Sequence, residues 1–67
     1  MEIGYRLIIK LKNGDFIDVN TDVDTINDLQ KLYDYSKIKD TIYVAFFIND
    51  IEINVKDIDY FKWSSIF

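Results

Sequence analysis

Residues 41–50 read TIYVAFFIND, and the way they are covered decides the fold. As an extended strand they put Ile42, Val44, Phe46 and Ile48 on one face and Tyr43, Ala45 and Phe47 on the other, because successive side chains of a strand point to opposite sides. In a small antiparallel sheet one face packs on the core and the other meets water, so apolar and polar residues alternate. Here both faces are apolar. Whatever packs on the first face, the second needs a cover of its own.

Upstream, residues 5–12 read YRLIIKLK and alternate Tyr5, Leu7, Ile9 and Leu11 against Arg6, Ile8, Lys10 and Lys12. Asn13-Gly14 follows, and then DFIDVN, with Ile17 and Val19 on one face and Phe16 on the other. Asn-Gly between two alternating runs predicts a hairpin closed by a two-residue type I′ turn. Downstream, Asn49-Asp50 reads as a tight turn into a fourth strand, IEINV, with Ile51, Ile53 and Val55 inward and Glu52 and Asn54 outward. Lys56-Asp57 breaks the pattern, and IDYFKWSS reads as a fifth strand.

Residues 24–36 change period. Ile26, Leu29 and Tyr33 form one stripe flanked by Leu32, with Asn27, Asp28, Lys31 and Asp34 opposite, as in an amphipathic helix. Thr25 with Asp28 three residues later resembles a capping box. Asp22 and Asp24 suit the positive end of the helix dipole, and Lys37 and Lys39 its negative end. The expected architecture is α+β: a single domain over residues 1–67, with an antiparallel sheet in ββαβββ order and one amphipathic helix on one face.

A chain of 67 residues hides only about 60% of the surface its unfolded form exposes, so it gains from association. It contains no cysteine and no histidine, which removes disulfides and the usual zinc and haem ligands. No basic, apolar leader opens it, and no apolar run approaches the roughly 18 residues of a membrane span. These features read as a soluble, cytoplasmic protein without membrane contact.

Chemistry is poorly provided for. Without histidine or cysteine no ordinary nucleophile–base pair is available, and Ser36, Ser64 and Ser65 read as surface hydroxyls. No catalytic residue, no cofactor and no enzymatic activity is expected. Asp18-x-Asn20-x-Asp22 matches the first ligands of a calcium loop, but Val23 and Leu29 stand where Gly and Glu are required. No metal is expected either. Tyr43, Ala45 and Phe47 resemble the stacking platform of an RNA-recognition sheet, yet a formal charge of −4 opposes a polyphosphate. Direct nucleic-acid binding is therefore not expected.

With the helix on the face of Leu7, Ile9, Ile17, Val44, Phe46 and Ile53, the opposite face carries Ile8, Phe16, Tyr43, Ala45 and Phe47. Strand five adds either Tyr60 or the pair Phe61 and Trp63, depending on its register. Such a patch reaches several hundred Å², at or above what monomers usually expose, and each large side chain is worth roughly 1.5–3 kcal/mol when buried. Three covers are open: curling of the sheet into a roll, face-to-face stacking of two copies, or a different protein.

The chain has twelve Ile, seven Lys to one Arg, ten Asp to two Glu, one Ala and no Pro. That bias is similar to products of AT-rich genomes, such as low-GC bacteria and their phages. At class level the chain resembles small acidic phage-encoded counter-defence proteins, including anti-CRISPR inhibitors. The resemblance implies an inhibitor that binds a nucleic-acid-binding effector. Asp15, Asp18, Asp22, Asp24, Asp28 and Asp34 would then face a basic channel, anchored by Ile8, Phe16, Tyr43, Phe47, Phe61 and Trp63. The alternative is a homodimeric structural or adaptor domain that pairs through the same aromatic face.

Overall fold

The structure is a computed structural model that describes residues 4–66. Alternation at period two becomes β1 (Tyr5–Leu11) and β2 (Phe16–Thr21), and the 3.6-residue stripe becomes α1 (Val23–Ile38). The second half supplies β3 (Ala45–Ile48), β4 (Ile51–Asn54), a 3-10 turn (Val55–Asp57) and β5 (Ile58–Ser65). The ββαβββ order and α+β class are as the sequence implies. The strands, however, do not form one sheet. β2, β1 and β5 make an antiparallel three-stranded sheet with β1 in the centre, while β3 and β4 form a separate two-stranded sheet.

This division follows from where β5 finds its partner. Its register pairs Leu7 with Trp63, Ile9 with Phe61 and Lys10 with Tyr60, so β5 takes the free edge of β1 and leaves the second hairpin outside that sheet. Residues paired across an antiparallel ladder share a face. The inner face of the sheet therefore carries Leu7, Ile9, Ile17, Val19, Phe61 and Trp63, and the outer face Ile8, Lys10, Phe16, Asp18, Tyr60 and Lys62.

One core lies between that inner face, the helix and the inner side of the second hairpin. Leu7, Ile9 and Leu29 have no exposed surface, and Val44, Phe46, Ile48, Ile53, Val55 and Ile58 are buried with them. The helix stripe is the expected one, with Ile26 and Leu29 buried and Leu32 and Tyr33 partly so. The cap differs from expectation. Asp22, not Thr25, sits at the N-cap, and its carboxylate accepts from the Thr25 N–H at 2.7 Å, satisfying a donor that the first helical turn leaves free.

The first turn differs too. The Gly14 N–H donates to the Leu11 carbonyl at 2.9 Å, as does the Leu11 N–H to that of Asp15. Gly14 takes φ +98°, while Asn13 is not among the residues with positive φ. Lys12, Asn13 and Gly14 thus form a three-residue loop closed by a left-handed glycine, in place of the two-residue turn. The cause is local: the Asn13 side chain accepts from the Asp15 N–H at 2.9 Å, an Asx interaction that competes with the type I′ geometry. The second turn is the two-residue form, with Asn49 at φ 48° and Asp50 at φ 66°.

Candidate partner-binding surface

The second hairpin answers the question posed by TIYVAFFIND. Val44, Phe46 and Ile48 face the core, and Tyr43 and Phe47 point away from it, 51% and 66% exposed. Burial therefore runs at period two from Val44 to Ile48, but Ile42 and Ile51, expected on the buried face, are 94% and 40% exposed, and the outer row has no covering strand among the described residues. Among the described residues β3 pairs with β4 alone, so the rolled sheet that would have enclosed it is not formed by them.

Asn54 holds this arrangement. Its side-chain oxygen accepts from the N–H groups of Val44 at 3.0 Å and Lys56 at 3.1 Å, and its amide donates to the Ile42 carbonyl at 3.0 Å. One side chain thus serves three backbone groups where the ladder ends. The Val44 carbonyl continues the pattern by accepting from the Val55 N–H at 2.8 Å. In the sequence Asn54 reads as an outward polar residue of the fourth strand. Its signal was that Asn is disfavoured in strands, so one beside a break marks backbone repair.

On the outer side of the hairpin the Tyr43 hydroxyl donates to the Glu52 carboxylate. That hydrogen bond, with some desolvation and the Glu52 charge, holds the phenol above its ordinary pKa. Phe47 and Ala45 lie next to the helix, and Asp28, Lys31 and Leu32 line an open groove with Ala45, Phe46 and Phe47. Asp28 lies in this groove together with Lys31; Asp24 is one turn earlier on the same stripe of α1, whereas Asp34, which accepts from Gln30 at 3.2 Å, lies on a different stripe. The surface is aromatic and acidic.

The other members of the expected site are dispersed. Ile8 and Phe16 lie on the outer face of the three-stranded sheet, which is not continuous with β3. Phe61 and Trp63 are on its inner face. Phe61 meets the Tyr33 ring edge-on at 5.2 Å, and Trp63 stacks on Phe61 at 5.9 Å. Tyr60 is the β5 aromatic residue that faces outward, beside Lys10. The single aromatic patch drawn from the sequence is thus three separate clusters.

The acids divide as well. Asp15 lies in the first loop, hydrogen bonded to Asn13. Asp18 binds Arg6 through both carboxylate oxygens, one of them accepting from Nε at 2.9 Å; this hydrogen bond to the guanidinium holds its pKa below the usual value. Asp22, 5% exposed, is occupied by the helix cap, and the Thr25 N–H likewise lowers its pKa. The calcium-like trio is therefore pulled apart, Asp18 toward Arg6 and Asp22 toward the helix. Among the described residues no group of three or more acidic side chains has a metal-holding arrangement, and no helix is long and apolar enough to cross a membrane.

No protein-family model, curated protein or solved structure matches this chain.

Proposed function

We propose that the chain is a non-enzymatic protein-binding module that docks on a basic partner through the outer side of the second hairpin and the adjoining acidic face of α1. The observation that carries this reading is the position of Phe47: 66% exposed, in one groove with Asp28 of the helix. A large uncovered ring beside a carboxylate, on a helix that carries further exposed acids, offers an anchor together with charges that guide encounter. Asp24, Asp28 and Asp34 are the steering set, and Tyr43 and Phe47 the anchors. Asp15, Asp18 and Asp22 are engaged elsewhere, as are Phe61 and Trp63.

The partner chemistry that fits is a nucleic-acid-binding protein with an electropositive channel. Occupying that channel excludes the polyphosphate, so the consequence of binding is inhibition. The test is competition. The labelled chain is titrated against basic, nucleic-acid-binding defence nucleases with and without a single-stranded oligonucleotide, at about 50 and about 300 mM salt. Displacement by the oligonucleotide is expected, with faster association at the lower salt. Changing Asp24, Asp28 and Asp34 together to Asn should slow association by about tenfold while leaving stability within about 0.5 kcal/mol. Association rates insensitive both to salt and to these changes would sink the reading.

A further inference from the structure

The four free strand edges among the described residues are not alike: β2 and β5 bound one sheet, β3 and β4 the other, and β4 carries Glu52. β2 carries Asp18 and Asn20. β5 carries Asp59 and Lys62, and the Tyr33 hydroxyl donates to its Asp59 carbonyl at 3.3 Å. Charges and covering side chains of this kind are how proteins blunt exposed edges. β3 has neither. From Thr41 to Ile48 there is no charged residue and no proline.

The hydrogen-bond direction of that edge can be worked out. A two-residue turn at Asn49-Asp50 makes Ile48 and Ile51 a hydrogen-bonded pair, and the alternation of the antiparallel ladder makes Phe46 and Ile53 the next. The N–H and C=O groups of Ala45 and Phe47 then point away from β4. Val44 turns its own groups toward Asn54 and Val55, so those of Tyr43 point outward as well. Residues 43, 45 and 47 present a row of peptide groups with no partner strand among the described residues. An open groove of about 430 Å³ lies along it, with Asp28, Lys31 and Leu32 of α1 on its far side.

We infer that this edge pairs with the same edge of a second copy, giving a four-stranded sheet in the order β4-β3-β3-β4. The row is self-complementary about Ala45. An antiparallel pairing centred there sets Ala45 opposite Ala45 of the second copy and Tyr43 opposite its Phe47, twice over. All six outward peptide groups of each chain are then used, and both aromatic pairs lie on one face, where cross-strand aromatic pairs are favourable. Ala45 is the chain's one alanine, and it stands where the two strands come closest to their symmetry axis. With no charge in residues 41–48, the paired strands themselves set no like charges against each other; the nearest charged side chains, Asp28 and Lys31, are on α1 across the groove. The gain is direct, since an isolated two-stranded sheet is marginal in water and a wider one is not. The contact is isologous, so it closes at two copies. It uses the groove that holds Phe47 and Asp28, so it competes with the proposed partner for this side of the molecule, and self-association is read in the absence of that partner.

The test exploits Ala45, whose side chain is exposed and outside the core. Ala45→Lys or Ala45→Glu places two like charges opposite each other in the paired sheet. The wild-type mass in solution should rise from one chain to two with concentration, and each variant should remain a single chain with unchanged far-UV circular dichroism. An equimolar mixture of the two variants should recover the two-chain mass, which neither unfolding nor a contact elsewhere reproduces. Amide exchange is a second readout that needs no substitution: the Ala45 and Phe47 amides should slow as concentration rises. A wild-type protein of single-chain mass up to the millimolar range overturns the inference. So does a pair of charged variants that dimerise like wild type, or exchange at Ala45 and Phe47 that ignores concentration.

Discussion

Two outer faces of this small protein invite comparison, that of the three-stranded sheet and that of the second hairpin. Both expose aromatic rings. On the sheet, Phe16 and Tyr60 flank Lys10, whose ammonium lies 5.8 Å from one ring centroid and 5.9 Å from the other, while Arg6 and Asp18 satisfy each other alongside. On the hairpin, Tyr43 and Phe47 sit with Glu52 and Asp28, and although Lys31 lines the groove beside Phe47, no ammonium bridges the two rings among the described residues. The sheet face carries its own solvating cover, the aliphatic stem of a lysine across apolar surface with its charge in water. The hairpin face has no counterpart. Exposed aromatic area by itself therefore does not mark a binding surface; what lies across the rings does.

The largest expected effect separates the two sides of the hairpin. Phe46, 5% exposed in the core, should cost about 3–5 kcal/mol when changed to Ala. Phe47→Ala should cost less than about 1 kcal/mol and abolish partner binding. Denaturation midpoints read the first effect and titration the second. Equal losses of stability at the two positions would mean that Phe47 is interior and that the comparison fails.

Asn54 comes next. Asn54→Ala leaves the Val44 N–H, the Lys56 N–H and the Ile42 carbonyl without their partner, at a cost of about 1–3 kcal/mol. Because these groups belong to the hairpin and its approach, amide exchange should accelerate there before it does in β1. Uniform acceleration throughout the chain would show that hairpin and sheet open as one unit.

The turns contrast on a smaller scale. A Cβ at Gly14 meets nothing within 4 Å, so only its φ of +98° restricts substitution. Gly14→Val should cost about 1–2 kcal/mol, and Gly14→Asn clearly less, since Asn tolerates the left-handed region. At the other turn Asp50, already at φ 66°, should accept Gly with a gain of less than about 1 kcal/mol. Thermal midpoints of the three variants provide the check.

Much of this fold was legible locally. The alternation of residues 5–11 and 16–21, the helical stripe through Ile26, Leu29 and Tyr33, and the inward row Val44, Phe46 and Ile48 all follow from period alone. What escaped was decided at long range or by side chains acting on the backbone. No local pattern says that β5 pairs with β1, and that pairing both divides the sheet and turns Phe61 and Trp63 inward. Asn13 reshaped its own turn through Asp15, and Asp22 took the cap because its carboxylate reaches Thr25. The candidate site was read in part. Tyr43 and Phe47 emerged as exposed, whereas treating every Asp alike concealed that Asp18 and Asp22 already have structural partners.

The smallest expected effect concerns acid. Asp22 in the folded chain titrates below the roughly 3.9 of an unfolded Asp. Its contribution is therefore complete above that value and is lost as pH falls through the folded one. Asp22→Asn keeps a good cap and should flatten stability below about pH 4. Asp18→Asn, on an exposed pair of the sheet's outer face, should flatten it less. Denaturation midpoints from about pH 6 to about pH 2 measure both, and an Asp18 effect exceeding that of Asp22 would reverse the ranking.

The stack of Tyr33, Phe61 and Trp63 has an optical consequence. The chain's one tryptophan rests on Phe61, which meets a helix ring, so its emission reports the docking of α1 on β5. It lies outside the second hairpin. A hairpin that loosens or changes partner leaves this chromophore in place, and intrinsic fluorescence would record an intact protein. Tyrosine absorbance near the Tyr43–Glu52 contact follows the part of the molecule to which tryptophan is blind.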